Sequence, residues 1–238
     1  MSDDKKKEKP PLRPISPAQR EMLEEATSEY ENNVSQEVSD YLDARGLDFG
    51  VRLNARLGVV TQTPYPGHER FKGWLAIPYL DHRGRPLTIR FRCLKDHDHE
   101  NPWGKVDENG KPKGRHGKYM SMYQDPARVY NVGAIHRAEE SGKPIEIAEG
   151  EPDALLLESL GLHAIALPGV QTWLSHAPNM LAGINRIRVW ADPDDAGAEL
   201  TAKILHSMWN ARSIRLTEGD VGETWKAGGA EALLGLIR

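Results

Sequence analysis

Ile147-Ala148-Glu149-Gly150-Glu151-Pro152-Asp153-Ala154-Leu155 is the stretch on which the fold turns. The apolar run 144–148 (PIEIA) has the length of a buried strand and stops at Glu149. Pro152 then stands where a helix takes its first-turn proline, and the helical pattern runs to Leu160 and closes at Gly161. The same alternation follows downstream. Segment 163–167 (HAIAL) reads as a strand with a helix over 171–182, and 186–191 (RIRVWA) as a strand with a helix over 196–210. Segment 212–216 (RSIRL) is a fourth strand, and a last helix is expected over 230–237. Strands alternating with helices predict a parallel sheet with covering helices.

Acidic groups stand at the carboxyl ends of three of these strands. Glu149 ends the first. Asp192 and Asp194 end the third, in Ala191-Asp192-Pro193-Asp194-Asp195-Ala196-Gly197, and Asp220 and Glu223 follow the fourth. Open α/β sheets bind ligands outside those ends, and an extended backbone over 192–194 turns both aspartates to one side. Each like-charge pair at about 4 Å costs about 4 kcal/mol at an effective dielectric near 20. An oxygen-only set that crowded suits Mg²⁺ or Mn²⁺. Taken singly, each segment also reads as N-caps and turn formers; three in register favour a metal site.

Upstream, Ser16, Pro17 and Gln19 form a capping box that opens a helix with Met22, Leu23, Ala26 and Tyr30 on its apolar stripe. Ser35 caps a second helix with Val38, Tyr41 and Leu42 inward and Gly46 past its end. Segments 74–80 (WLAIPYL) and 87–94 (LTIRFRCL) read as strands joined by the hairpin connection Asp81-His82-Arg83-Gly84-Arg85. Arg90 and Arg92, two apart, point to one face. Residues 95–117 form a polar loop of a length usually reserved for function or movement.

The 238 residues make one large domain or two small ones, long enough for a core without staples. The single cysteine, Cys93, excludes a disulfide framework and a four-cysteine zinc ribbon, so a reducing, cytoplasmic setting is expected. The polar start MSDDKKKEKPPLRP is no signal peptide, residues 1–15 are expected to be disordered, and the longest uncharged stretch, 159–185, is broken by Pro168 and Pro178, which excludes a membrane span. The net charge of −4 hides a division. Residues 83–118 carry ten Lys/Arg against five Asp/Glu, and residues 149–223 carry five against eleven. A basic surface for polyanions beside an acidic cluster for metal ions is the functional reading of that split.

EGEPDAL, DPDDAG and GDVGE, in that order, resemble the motif series of a Toprim domain, and Asp153 matches the Asp that primases place four residues after the Glu. YLDARGL at 41–47, RLG at 56–58, the IPYLDHRGRPLTIRFRCL hairpin, KYMSM at 118–122 and VYN at 129–131 narrow the likeness. Together they resemble the catalytic core of bacterial-type, DnaG-like primases, phage ones especially, over about residues 35–225. The resemblance implies an α/β (overall α+β) fold. A tail, 1–15, precedes a helical and β-hairpin basic subdomain, 16–132, and a Toprim domain with a parallel sheet, 133–238. It implies Glu149, Asp192, Asp194 and Asp220 as acids for Mg²⁺ or Mn²⁺, the first three catalytic and Glu149 also placed to act as a base. Arg90, Arg92, Lys118 and Tyr119 would touch nucleic acid and nucleotide phosphates, with Asp153 and Glu223 in lesser roles. Met-Ser after Lys118-Tyr119 and Gly222 before Glu223 depart from the family pattern, where Asn is common.

The implied activity is that of a primase catalytic subunit, making short RNA primers from NTPs on single-stranded DNA. No zinc ribbon and no G-x-x-x-x-G-K-[ST] is present, so a replicative helicase and a zinc-binding module are expected in trans, with no membrane. The rival readings are a Toprim nuclease and a non-catalytic module binding single-stranded DNA or a helicase. Asp96-His97-Asp98-His99-Glu100 reads as a solvated loop without partner ligands, Cys93 as strand packing, Trp173, Trp190 and Trp209 as core, and Trp103 as a loop anchor that could stack on a base.

Overall fold

Capping chemistry starts the chain's first elements. A computed structural model describes residues 14–102, 104–123, 125–167, 173, 176–216 and 219–238. The tail through residue 13, Trp103 and residues 171, 172, 174 and 175 of the segment expected as helix 171–182 therefore lie outside the described residues. Helix α1 (Pro17–Glu31) opens at Ser16, whose Oγ accepts from the Gln19 N–H while Gln19 Oε1 accepts from the Ser16 N–H. Helix α2 (Gln36–Asp43) opens at Ser35 and buries Val38 and Leu42. Helix α3 (Phe49–Asn54), capped by Asp48, is too short to leave a periodic signal and was not expected.

Strands β1 (Gly58–Val59), β2 (Leu75–Leu80), β3 (Pro86–Arg92) and β4 (Tyr119–Met120) form an antiparallel sheet in that order, with β2 and β3 as the expected hairpin. The β1–β2 connection contains a 3-10 turn, Glu69–Phe71. Helix α4 (Gly133–Ser141), which the sequence reading did not place, leads into the second half. There the chain runs β5 (Ile145–Ala148), α5 (Glu151–Ser159), β6 (His163–Ala166), α6 (Ala177–Met180), β7 (Ile187–Trp190), α7 (Asp195–Ser207), β8 (Ala211–Ser213) and α8 (Val221–Gly235). The strands pair in parallel in the order β6-β5-β7-β8.

Helix α8 begins at Val221 rather than near residue 230. Asp220 caps it, and it continues past Gly229, whose φ of 63° and ψ of −154° break the helix internally. The weak helical propensity of Gly228-Gly229 hid its first half. Trp209 is exposed and Trp173 only partly buried, so of the three tryptophans expected in the core only Trp190 is fully enclosed.

Strand alternation divides the core. Ile145, Ile147, Ile165, Ile187 and Val189 face α4 and α7, packing on Ala134, Ala138, Leu200 and Ile204. Ala148, Ala164, Ala166 and Trp190 belong to the opposite layer, which also contains Leu155 and Leu156 of α5, Leu233 of α8, Val38 and Leu42 of α2, and Leu75, Ile77 and Tyr79 of β2. One apolar core thus spans both sheets. Gly46 sits at the junction with φ of 73°, and a Cβ there would run into the Trp225 ring of α8.

On that layer β5 and β7 also bury charge. Glu146 and Arg188 are register partners. Arg188 Nε donates to both Glu146 oxygens at 2.9 Å, and Trp190 Nε1 donates to Glu146 Oε2 at 2.6 Å. The Glu146 side chain is fully buried. Arg188→Met leaves that carboxylate without its cation and is expected to cost about 3–5 kcal/mol in urea unfolding. Adding Glu146→Leu should recover much of this loss, short of about 1–3 kcal/mol for the Trp190 N–H left without an acceptor.

Candidate active site

Topology brings the acids together before any side-chain detail matters. The chain leaves β5 to one side for β6 and returns on its other side for β7, so the crevice outside β5 and β7 is a switch point where ligands bind. Glu149 directly follows β5, and Asp192 lies two residues past β7. Glu149 Oε1 accepts the Asp192 N–H at 2.8 Å, which locks the two strand ends together. Gly197 makes this approach possible. A Cβ there would collide with the Asp192 carbonyl and stand 2.5 Å from Glu149 Oε1.

Glu149, Asp153, Asp192 and Asp220 form one wall of a cleft of about 390 Å³. The opposite wall carries Arg45, Arg90, Arg92, Lys118 and Tyr119. Asp220 Oδ1 caps α8 through the Glu223 N–H at 2.6 Å. Glu223 is exposed, folds over Gly219, and is not among the cleft's lining residues. Asp194 spends Oδ1 on the Gly197 N–H, at 2.8 Å, as N-cap of α7. It stands outside the cleft's lining but shares with Asp192 a second depression along 191–198 and 213–216.

The walls are electrostatically mismatched within themselves. Burial, then the charges of Asp220 and Asp192, push the Asp153 carboxyl up to about 7. Burial and the charges of Glu149, Asp220, Asp194 and Glu223 push Asp192 up to about 6. Glu149 is raised by burial and by Asp194, against the Asp192 N–H. Across the cleft, burial lowers Lys118, reinforced by the cations Arg92 and Arg45. Arg92 is 4% exposed and lowered chiefly by burial, and its Nε has no hydrogen-bond partner among the described residues. Carboxylates whose ionisation is opposed suit a divalent cation, and cations without partners suit an anion.

Tyr119 receives the guanidiniums of Arg90 and Arg92 on its ring, at 5.0 and 4.7 Å. Arg90 is not free. Its Nη1 pairs with Glu151 Oε1 at 2.6 Å, and the Tyr79 hydroxyl donates to the same oxygen at 2.5 Å. Burial opposes the Arg90 charge, but Glu151 and Tyr79 outweigh it and raise its pKa. Sequence reasoning missed Arg45 and Glu151 as parts of this site. Both stood in quoted motifs, but only tertiary contact shows which acid pairs and which base remains free.

No family model matches the sequence. The gene 57 protein of Mycobacterium phage D29 is 33% identical over 171 residues, spanning 69% of this chain and 97% of that protein. The chain belongs to that phage family, and its fold is that of a DnaG-type primase catalytic core. A DNA primase of Pseudomonas putida is 23% identical over 83% of the chain, but the chain spans only 29% of its length. The zinc-binding and RNA polymerase domains of the Aquifex aeolicus primase superpose with a TM-score of 0.69 at 20% identity, over 95% of this chain and 63% of that one. A DnaG primase catalytic domain bound to single-stranded DNA gives 0.67 at 15% identity, over 92% and 77%. The primase fragment of the bacteriophage T7 primase-helicase gives 0.57 at 15% identity, over 82% and 73%. In this fold Glu149 and Asp192 follow strands of the parallel sheet, while Arg90 and Arg92 lie on β3, Tyr119 on β4 and Arg45 just past α2.

Two outcomes follow for the metal-free chain. Asp153 ordinarily titrates at 3.8 and here at about 7. Between those values the folded state holds the extra proton, so unfolding free energy falls as pH rises through that window and levels off above it. Thermal melts from pH 4 to 8 should show the fall, reduced in Asp153→Asn and by added Mn²⁺. Gly197→Ala should part Glu149 from Asp192 and abolish the Mn²⁺-induced rise in melting temperature.

Proposed function

We propose that this chain is a primase-type nucleotidyltransferase that makes short RNA primers on single-stranded DNA. The carrying observation is one cleft with Glu149, Asp153, Asp192 and Asp220 on one side and Arg45, Arg92 and Lys118 on the other. That pairing suits a nucleoside triphosphate with its divalent cation, and the match to primase cores supports the reaction class. Glu149, Asp192 and Asp220 would hold Mg²⁺ or Mn²⁺, with Asp194 at its edge. The bound ion supplies charge neutralisation at the triphosphate and at the attacking oxygen.

The remaining work falls to the chain's own groups. Arg45, Arg92 and Lys118 hold phosphate oxygens by charge-assisted hydrogen bonds. A primer 3′-hydroxyl attacks the α-phosphorus, the new P–O bond forms, the bond to the β-phosphate breaks, and pyrophosphate leaves. Glu149 takes the hydroxyl proton, a role that its raised proton affinity favours. Single-stranded DNA serves as template, and a helicase and a zinc-bearing module are the proposed partners, supported by the primase-helicase and zinc-domain proteins among the structural neighbours.

The assay is direct. With single-stranded template, labelled NTPs and Mn²⁺, short RNA is expected. Asp192→Asn and Glu149→Gln should each lower its rate by at least about 100-fold without loss of fold. Arg92→Ala and Lys118→Ala should each flatten the log–log salt dependence of single-strand binding by about 0.7. Cut DNA in place of primers, or full synthesis by Asp192→Asn, overturns the reading.

A further inference from the structure

The polar loop over 95–117 holds ligand-type side chains that the acidic cleft does not use. Cys93 directly follows β3, and His97, His99 and His116 come from the loop itself. One donor atom from each lies within 4.8 Å of the other three. The expectation of a solvated loop without partner ligands is thereby corrected. His116 is the missing partner, and its distance along the chain concealed it.

The spacing within the group matches a metal's coordination sphere. Cys93 Sγ stands 3.7 Å from His97 Nε2, and His97 Nε2 stands 3.1 Å from His99 Nδ1. Tetrahedral zinc, with bonds of about 2.3 Å to sulfur and about 2.0–2.1 Å to nitrogen, sets the corresponding edges at about 3.6 and 3.4 Å. The three rings meet at interplanar angles of 83°, 62° and 63°, splayed about a common point rather than stacked. His116 Nδ1 lies 3.1 Å from the Gly117 carbonyl oxygen. A carbonyl only accepts, so Nδ1 carries the proton and the Nε2 lone pair is left for a metal. That outer hydrogen bond is the arrangement that fixes a metal-ligating imidazole.

We propose that Cys93, His97, His99 and His116 bind a structural Zn²⁺ ion. One thiolate with three imidazoles is a borderline-soft donor set, and four protein ligands leave no position open for substrate. Cys93 is buried, the three histidines are half-buried, and the Trp74 ring covers His116 at 4.8 Å between centroids. The site sits where the loop leaves and rejoins the sheet. The Cys93 N–H donates to the Lys118 carbonyl at 3.0 Å, and the His116 N–H donates to the His99 carbonyl at 3.1 Å. A metal there staples the loop's base and fixes Lys118 and Tyr119, which follow His116 after Gly117, beside Arg92. The inference stands independently of the proposed function, because its test reads the metal and not the reaction.

The full chain, expressed and purified without chelator, should carry stoichiometric zinc by elemental analysis. Replacing zinc by Co²⁺ should give the visible bands of tetrahedral cobalt and a near-ultraviolet thiolate-to-cobalt band. Cys93→Ser should lose the thiolate band while keeping three imidazole ligands, and His116→Ala should release the metal at least about 10-fold more readily to a competing chelator. Asp192→Asn should keep both metal and bands, which separates this site from the acidic cleft. Absence of zinc above trace with no tetrahedral cobalt spectrum, or a thiolate band that persists in Cys93→Ser, overturns the proposal.

Discussion

Glu151, the first residue of α5, is 2% exposed and is met there by Arg90 from β3 and the Tyr79 hydroxyl from β2. This contact joins the antiparallel hairpin to the start of the helix that follows Glu149, and the geometry of the cleft depends on it. A buried carboxylate is tolerated only when paired and hydrogen-bonded. Satisfying Glu151 therefore forces β3 to lie over the end of the parallel sheet. Arg92, two residues on, is delivered to the same face, and Tyr119 of β4 holds both guanidiniums. The shared apolar layer of Tyr79, Leu155, Leu156 and Trp190 fills the space behind the contact.

The cleft that results carries unmet charge on both walls. Carboxyls at Asp153 and Asp192 are pushed toward neutrality by burial and by neighbouring carboxylates, while burial and the charges of Arg92 and Arg45 oppose the charge on Lys118. Either wall alone destabilises the fold, and the walls do not neutralise each other. Arg45 lowers Asp153 and Asp220 raises Lys118 without reversing the net shift of either. A ligand that brings positive charge to one side and negative charge to the other relieves both. A metal-bound triphosphate has that form, which is why the arrangement reads as a site rather than as a structural ion-pair network.

Much of this was legible in the sequence because the signals are periodic or local. The capping box at Ser16, the cap at Ser35, the hairpin around Gly84 and the βα alternation after residue 144 each rest on residues a few positions apart. Glu149, Asp192 and Asp220 could be placed together because topology fixes where strand ends lie. Helix α3 was too short to show a period, and α8 was hidden by Gly228-Gly229. The identity of Glu151 as the partner of Arg90 rests on contact between residues 61 positions apart. His116 failed for the same reason, since no short spacing ties it to His97 and His99. Asp194 has a second role that its motif did not announce. Its motif was plain, but the chain uses one of its oxygens to cap α7.

Anomalous diffraction at the manganese edge, from crystals of the full chain soaked with Mn²⁺ and a nucleoside triphosphate, tests the central claim most directly. The account predicts manganese density between Glu149, Asp192 and Asp220, with the triphosphate reaching toward Lys118, Arg92 and Arg45. Manganese bound elsewhere, or a triphosphate that leaves Arg92 and Lys118 untouched, would contradict it.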